Sequence, residues 1–251
     1  MLEGLYSAAA GMAAQQEQMN AISNDLANVS TDGYQAERVA FKDLLYSPVK
    51  IAGTETTAGA GASASVIGRS EAQGTLQETG DPLDLAIEGP GYFLLKRADG
   101  QLALTRTGQF GVDASGSLVN AEGNRLSPPI KLPKGVSASE VGIAPNGVVT
   151  VPAPGTPSGE RKLGQIKLVT VTSPEHLLAD GGDEFTPTAL SGKPHAATGK
   201  IHQGALEGSN VDIGRDMAEM VSTERAYQLN STAIQDESQM MSIANDLRGG
   251  S

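Results

Sequence analysis

An α+β fold is predicted, with long amino- and carboxy-terminal helices forming a coiled-coil-like module and an antiparallel β-rich domain inserted between them. Three observations lead to it. Apolar residues advance by alternating threes and fours near the amino terminus, and by sevens near the carboxy terminus. Between those ends the period falls to two, and glycine turns punctuate short runs.

The first helix follows from Leu5, Ala8, Met12, Gln15, Met19, Ile22, Leu26 and Val29, a seam with one polar interruption at Gln15. The stretch has no Pro, Gly11 is its single internal glycine, and Ser30-Thr31-Asp32-Gly33 supplies turn chemistry at its end. Residues 51–65 are dominated by Gly, Ala, Ser and Thr without periodicity, which predicts an extended connector. From Thr75 onward, Gly91-Tyr92-Phe93-Leu94-Leu95 and Leu102-Ala103-Leu104-Thr105 flank the turn Ala98-Asp99-Gly100-Gln101 and read as a hairpin. The runs at Gly147–Val151 and Gly164–Val171 extend the β pattern across a Pro/Gly loop at 152–159.

The last helix rests on Met220, Tyr227, Ile234 and Met241, extended by Met217 and Leu247, with polar partners at Glu224, Ser231 and Ser238. Ser209 or Asn210 is the expected cap before it. Domain bounds follow: a discontinuous helical module at 1–46 and 206–251, a connector at 47–74, and a β domain at 75–205. A helix as polar as the last is marginal alone. Both seams therefore require partners, either each other over one face of the β domain or copies of the same chain.

Composition excludes several function classes. The 251 residues carry 18 Lys and Arg against 29 Asp and Glu, a net charge of −11 without a basic stripe, so neither nucleic acid nor an anionic membrane surface is an expected partner. The absence of Cys removes thiolate metal sites and Cys nucleophiles. No apolar run approaches the length of a membrane span, and Met1-Leu2-Glu3-Gly4 does not begin a secretory signal.

Site chemistry is equally sparse. His176, His195 and His202 lack metal-ligand spacing, Asp81 and Asp84 flank Pro82-Leu83 as in a turn, and Gly89-Pro90-Gly91 has no Lys to make a phosphate loop. Glu207 as an acid catalyst has no partner in the pattern, so no catalytic residue, metal or cofactor is expected. Asn24 and Asn28, one helical turn apart, suit either the helix end or an interface.

Three separated blocks then carry a resemblance. They are Ser23-Asn24-Asp25-Leu26-Ala27-Asn28-Val29-Ser30-Thr31-Asp32-Gly33-Tyr34 with Phe41–Tyr46; Leu83–Phe93 with Thr105-Arg106-Thr107-Gly108-Gln109-Phe110; and Leu206-Glu207-Gly208-Ser209-Asn210-Val211 leading to Met220, Arg225-Ala226-Tyr227 and Asn230. In order and spacing they resemble the bacterial flagellar rod and hook family, and Phe41–Tyr46 is most similar to its distal-rod branch, with the proximal-rod branch as the alternative.

The resemblance implies a structural basal-body rod subunit in the cell envelope. Such a subunit is exported through the flagellar type III apparatus without a cleaved signal. It polymerises helically with copies of itself and with other rod and hook proteins into a torque-bearing tube around the export channel. On this view Leu5, Met12, Met19, Ile22, Asn24, Leu26, Asn28, Met220, Tyr227, Ile234 and Met241 form the assembly interface. The competing reading is a secreted β-rich enzyme or binding module braced by its terminal helices.

Overall fold

The computed structural model describes residues 2–44, 47–51, 54–133, 135–153 and 159–249. The chain divides into two units, one made of Met1–Ala27, Glu37–Ile67 and Asp212–Ser251, the other of Asn28–Ala36 and Gly68–Val211. The helical unit thus takes in residues up to 67 and cedes 28–36 and 206–211, against expected bounds of 1–46 and 206–251.

In the helical unit, α1 (Leu2–Ala27) and α2 (Ile213–Gly249) lie antiparallel. Their register is legible at two glycines: a Cβ on Gly4 would meet the Glu237 carboxylate at 2.6 Å, and one on Gly11 the Asn230 amide at 2.9 Å. A step of seven along α1 therefore matches a step of seven back along α2. Further along, Gln18 Nε2 donates to Glu219 Oε1 at 2.7 Å. Gly11 costs about 1 kcal/mol of helix propensity relative to Ala, and the close approach of Asn230 is what it permits.

The covered positions of α2 are Asp216, Met220, Thr223, Ala226, Tyr227, Asn230, Ser231, Ile234, Glu237 and Met241. The apolar edge matches the sequence expectation, but the polar edge runs through Thr223, Asn230 and Glu237; of the expected polar partners Ser231 is half-buried, while Glu224 and Ser238 are exposed. Both spacings satisfy the heptad; the notches at Gly4 and Gly11 select the observed one.

The 47–74 stretch, expected as an extended connector, carries strands instead. β1 (Glu37–Asp43) precedes it, and β2 (Ser47–Ile51) pairs antiparallel with β3 (Thr54–Ala58). β4 (Ala62–Arg69) pairs with β1. Ladder hydrogen bonds do not require an apolar alternation, and the Thr-rich β3 and the Ala- and Ser-rich start of β4 offer no large apolar residues to announce them. Leu45 and Tyr46, part of the block expected to mark the rod position, lie outside the described residues.

The second unit is built on short antiparallel strands. β5 (Leu76–Glu78), β6 (Leu85–Glu88), β7 (Tyr92–Lys96), β8 (Leu102–Thr105), β9 (Gly111–Val112), β10 (Leu118–Val119) and β11 (Arg125–Leu126) come first. After them come β12 (Gly142–Ile143), β13 (Val148–Pro152), β14 (Glu160–Gln165), β15 (Leu168–Thr170), β16 (Leu178–Gly181), β17 (Glu184–Thr186), β18 (His195–Ala196), β19 (Lys200–Gln203) and β20 (Ala205–Glu207). The principal sheet runs β16-β17-β8-β7-β11-β10-β9, and β15 joins β7 beside β11. The run expected at Gly164–Val171 is split, because buried Ile166 donates its N–H to the Gly147 carbonyl and leaves the ladder.

β7 is central, with β8 on one side and β11 and β15 sharing the other. Phe93 and Leu95 on one of its faces are wholly buried with Leu85, Ile87, Leu118 and Val149, and Phe93 meets Phe110 edge to face at 5.1 Å between ring centres. On the other face Tyr92 meets Phe185 edge to face at 5.9 Å between ring centres.

Candidate functional site

Two features stand out: the faces that the helical unit leaves uncovered, and a hydrogen-bonded clasp inside the β unit.

On α1 the exposed positions Tyr6, Ala9, Ala13, Gln16, Asn20, Ser23 and Ala27 repeat by threes and fours and carry no charge. On α2 the side away from its covered stripe displays Leu229, Met240, Ile243 and Leu247, of which Leu229 is 72% and Leu247 75% exposed. Several large apolar side chains in one helix, all facing solvent, mark an incomplete burial.

The expected interface residues fall on both sides of this division. Ile22 is buried, and Leu5, Met12, Met19, Leu26, Met220, Tyr227, Ile234 and Met241 are half-buried within the chain's own helical unit. The most deeply covered positions of α1 are Ala14, Gln18, Ala21, Ile22 and Asp25, because α1 also packs against β1 and against Gly61, where a Cβ would lie 2.9 Å from Ala10. Asn24 donates from Nδ2 to Glu37 Oε1 at 3.1 Å, while Asn28 closes the turn after α1 by accepting from the Thr31 N–H and hydroxyl.

The clasp joins three stretches of the β unit that are far apart in sequence. Asn210 Oδ1 accepts the Ala36 N–H at 2.8 Å, and its Nδ2 donates to the carbonyls of Ser70 and Ala72 at 2.9 and 2.7 Å. The Asn210 N–H donates to the Tyr34 carbonyl, and the Ser70 N–H to the Ala36 carbonyl. Arg69 donates to the Gln35 carbonyl at 2.8 Å, with its guanidinium 5.3 Å from the centre of the Tyr34 ring.

Glu207 anchors the same place. Its carbonyl accepts the Gly33 N–H at 2.6 Å and its carboxylate the Gly74 N–H at 2.9 Å. Only glycine suits either position. Gly33 has φ +74° and a Cβ there would lie 2.6 Å from Thr107 N, while at Gly74 it would lie 1.9 Å from the Gly208 carbonyl oxygen.

The Glu207 carboxylate also holds Arg106 Nε at 2.6 Å, with the two side chains 5% and 6% exposed. Arg106 donates from Nη1 to the Gly91 carbonyl at 2.6 Å and from Nη2 to the Gly89 carbonyl at 2.9 Å, to Glu207 Oε1 at 3.3 Å and to the Ile87 carbonyl at 3.4 Å, which serves a buried guanidinium.

Sequence reasoning missed this cluster. Its signal was a charge at the end of an apolar run in Leu102–Arg106 and again in Ala205–Glu207, a pattern that asks for a buried counterion. The cap of α2 also differs from expectation: Asp212 Oδ1 accepts the Arg215 N–H at 3.1 Å, while Asn210 is occupied in the clasp and Ser209 accepts from Val211.

The residues weighed for chemistry are scattered. Asp84 accepts from the Thr79 hydroxyl at 2.6 Å in the turn begun by Asp81, and His202 meets Glu88 at 2.8 Å on an exposed face. That hydrogen bond and the charge of His202 hold the Glu88 carboxyl below its usual range. Among the described residues no three His, Asp or Glu side chains come together in a metal-binding arrangement, and no helix is long and apolar enough to cross a membrane.

Comparison with known proteins agrees with the three blocks. Residues 5–35 match the family described as flagella basal body rod protein, 86–151 the flagellar hook protein FlgE/F/G D1 domain, and 202–247 the flagellar basal body rod FlgEFG protein C-terminal region. Among its relatives, the flagellar basal-body rod protein FlgG of Borreliella burgdorferi is 36% identical over 99% of both chains. The FlgG of Caulobacter vibrioides is 34% identical over 98% of this chain and all of its own, and the FlgF of Escherichia coli 28% over 98% of each. With end-to-end identity of 36% to one FlgG and 34% to another, against 28% to FlgF, the chain belongs to the flagellar basal-body rod protein family as a structural rod subunit of FlgG type.

Proposed function

We propose that this subunit polymerises helically with copies of itself through α1 and α2, coiled against their neighbours, and joins other rod and hook proteins. The resulting drive shaft carries torque from motor to hook and encloses the export channel. The subunit reaches the basal body across the cell envelope through the flagellar type III apparatus, without a cleaved signal peptide, and its work is mechanical rather than catalytic.

One observation supports this most directly. The helical unit leaves Leu229, Met240, Ile243 and Leu247 of α2 in water, beside a helix whose exposed positions are uncharged among the described residues. Covering each such side chain is worth about 1.5–3 kcal/mol, and a helical polymer covers them at every subunit.

The double variant Leu229→Asp/Ile243→Asp tests it, since neither side chain contributes to the buried core of the monomer. The expected result is a monomer with unchanged circular dichroism and β-unit melting that forms no rods by electron microscopy. Polymerisation at the wild-type level would overturn the proposal.

A further inference from the structure

We propose that the clasp centred on Asn210 is the joint through which mechanical load enters and leaves the β unit, an inference that rests on the rod reading above. The chain crosses between its two units after Ala27, Ala36, Ile67 and Val211. Three of these crossings fall at or near partners of a single side chain: Ala36 and Ser70, hydrogen-bonded to Asn210 at 2.8 and 2.9 Å, and Asn210 itself. The fourth reaches the same place through the Asn28–Thr31 turn and the Gly33 N–H, which the Glu207 carbonyl accepts at 2.6 Å.

This arrangement has a mechanical consequence. In a shaft under torque, force enters each globular unit along its covalent crossings. Crossings anchored at separate places would be loaded one after another, and their hydrogen bonds would open singly. Crossings bonded to one side chain are loaded together, so their bonds must fail together.

Asn suits the position because its planar amide offers an acceptor and two donors at once, whereas Asp offers no donor. The clasp is in turn fixed to the sheet, because Glu207 holds both the Gly74 N–H and the guanidinium of Arg106. Neither the apolar core of this unit nor its principal sheet includes Asn210, so the joint and the stability of the unit are separable.

The test uses the full chain with Asn210→Ala and Asn210→Asp. In the wild-type monomer, amide exchange at Ala36 and Ser70 reports the clasp, and exchange at Leu95 and Leu104 reports the sheet. Both variants should speed exchange at the first pair about tenfold and at the second less than about twofold, with β-unit melting almost unmoved.

In cells carrying either variant in place of the native gene, rods should form in normal number. Swimming should match wild type in thin medium and fail as viscosity rises, with broken rods recovered from the stalled cells. Unchanged clasp exchange, a wild-type dependence of speed on viscosity, or a fall in β-unit melting accompanied by absent rods would each overturn the proposal, the last by making Asn210 a residue of stability or assembly. A complete rod in cells lacking this chain altogether would sink the rod reading and the load-bearing role with it, whereas unchanged exchange in the variants sinks the clasp alone.

Discussion

Removal of the Glu207 side chain is the perturbation whose cost the structure defines best. Arg106 and Glu207 are nearly inaccessible and 2.6 Å apart, so Glu207→Ala leaves a guanidinium buried without its counterion. Breaking a buried pair from one side costs about 3–5 kcal/mol. Two further details of the site adjust that figure in opposite directions. Arg106 keeps the carbonyls of Gly91 and Gly89, at 2.6 and 2.9 Å, which favours the lower end. The Gly74 N–H loses its acceptor, which adds the cost of an unsatisfied buried donor.

A loss of about 4 kcal/mol follows, and for a unit of this size each kcal/mol moves the melting midpoint by roughly 2–4 °C. The midpoint of the β unit should therefore fall by about 8–16 °C in calorimetry of the full chain. The double variant Arg106→Met/Glu207→Leu removes both charges and should lose markedly less than Glu207→Ala alone, since no charge is left buried. A loss below about 1 kcal/mol for Glu207→Ala would show the pair to be solvated. Equal damage in the double variant would show that shape rather than charge compensation holds the site together.

Other expectations test separate parts of the molecule. Gly74→Ala forces a methyl to within 1.9 Å of the Gly208 carbonyl oxygen, so the pairing of β5 with β20 must shift, with a loss of about 1–3 kcal/mol in urea unfolding; wild-type stability would contradict the close approach. Hydrogen bonds from the Ser115 hydroxyl, from the backbone at Ser117 and Ser115, and from Arg125 lower the Asp113 carboxyl from 3.8 to about 2. A depressed folded-state value means that its contribution is complete above pH 3.8 and disappears as pH falls toward 2, so the melting difference between wild type and Asp113→Ala should shrink across that window and stay constant at higher pH. Ile234→Asp places a charge on the covered stripe of α2 and should leave β-unit melting unchanged while abolishing rod formation; rods at normal number would remove Ile234 from the interface.

Much of the fold could be read from sequence because its signals are local. Seven-residue spacing at Met220, Tyr227, Ile234 and Met241 follows from the geometry of one helix, and the hairpin of β7 and β8 is announced by its turn at Gly100. What escaped depends on distant partners. Of the polar edge expected on α2, Ser231 is half-buried but Glu224 and Ser238 are not, because an apolar series at sevens fits two heptad phases equally, and the selecting feature is a pair of glycines on the other helix. β1 and β4 were unreadable because neither alternates. Arg106 and Glu207 stand 101 positions apart, so nothing in either neighbourhood names the other. Asn210 looked like a cap because Asn caps helices, and the structure uses the same donors and acceptor on three backbone groups of two other segments.

The contrast between the two units explains why one chain would combine them. The β unit has its own core: Phe93, Leu95, Leu85 and Ile87 are enclosed, the buried pair of Arg106 and Glu207 is matched, and the crossing segments are bonded to one another. In the helical unit, by contrast, one edge of the seam opposes glycines and Gln18 with Glu237, Asn230 and Glu219, contacts that add little net stability in water. Its large apolar side chains at Leu229, Ile243 and Leu247 remain outside. A chain arranged this way keeps a stable body while holding its association energy in reserve, because the free energy that the helices lack in the monomer becomes available only where another copy covers them. The polar edge then has a second consequence. An apolar seam of the same length would pair equally well in several registers, whereas Glu237 and Asn230 fit only where Gly4 and Gly11 leave room, so each subunit presents its outward face in one phase, as a polymer of fixed repeat requires.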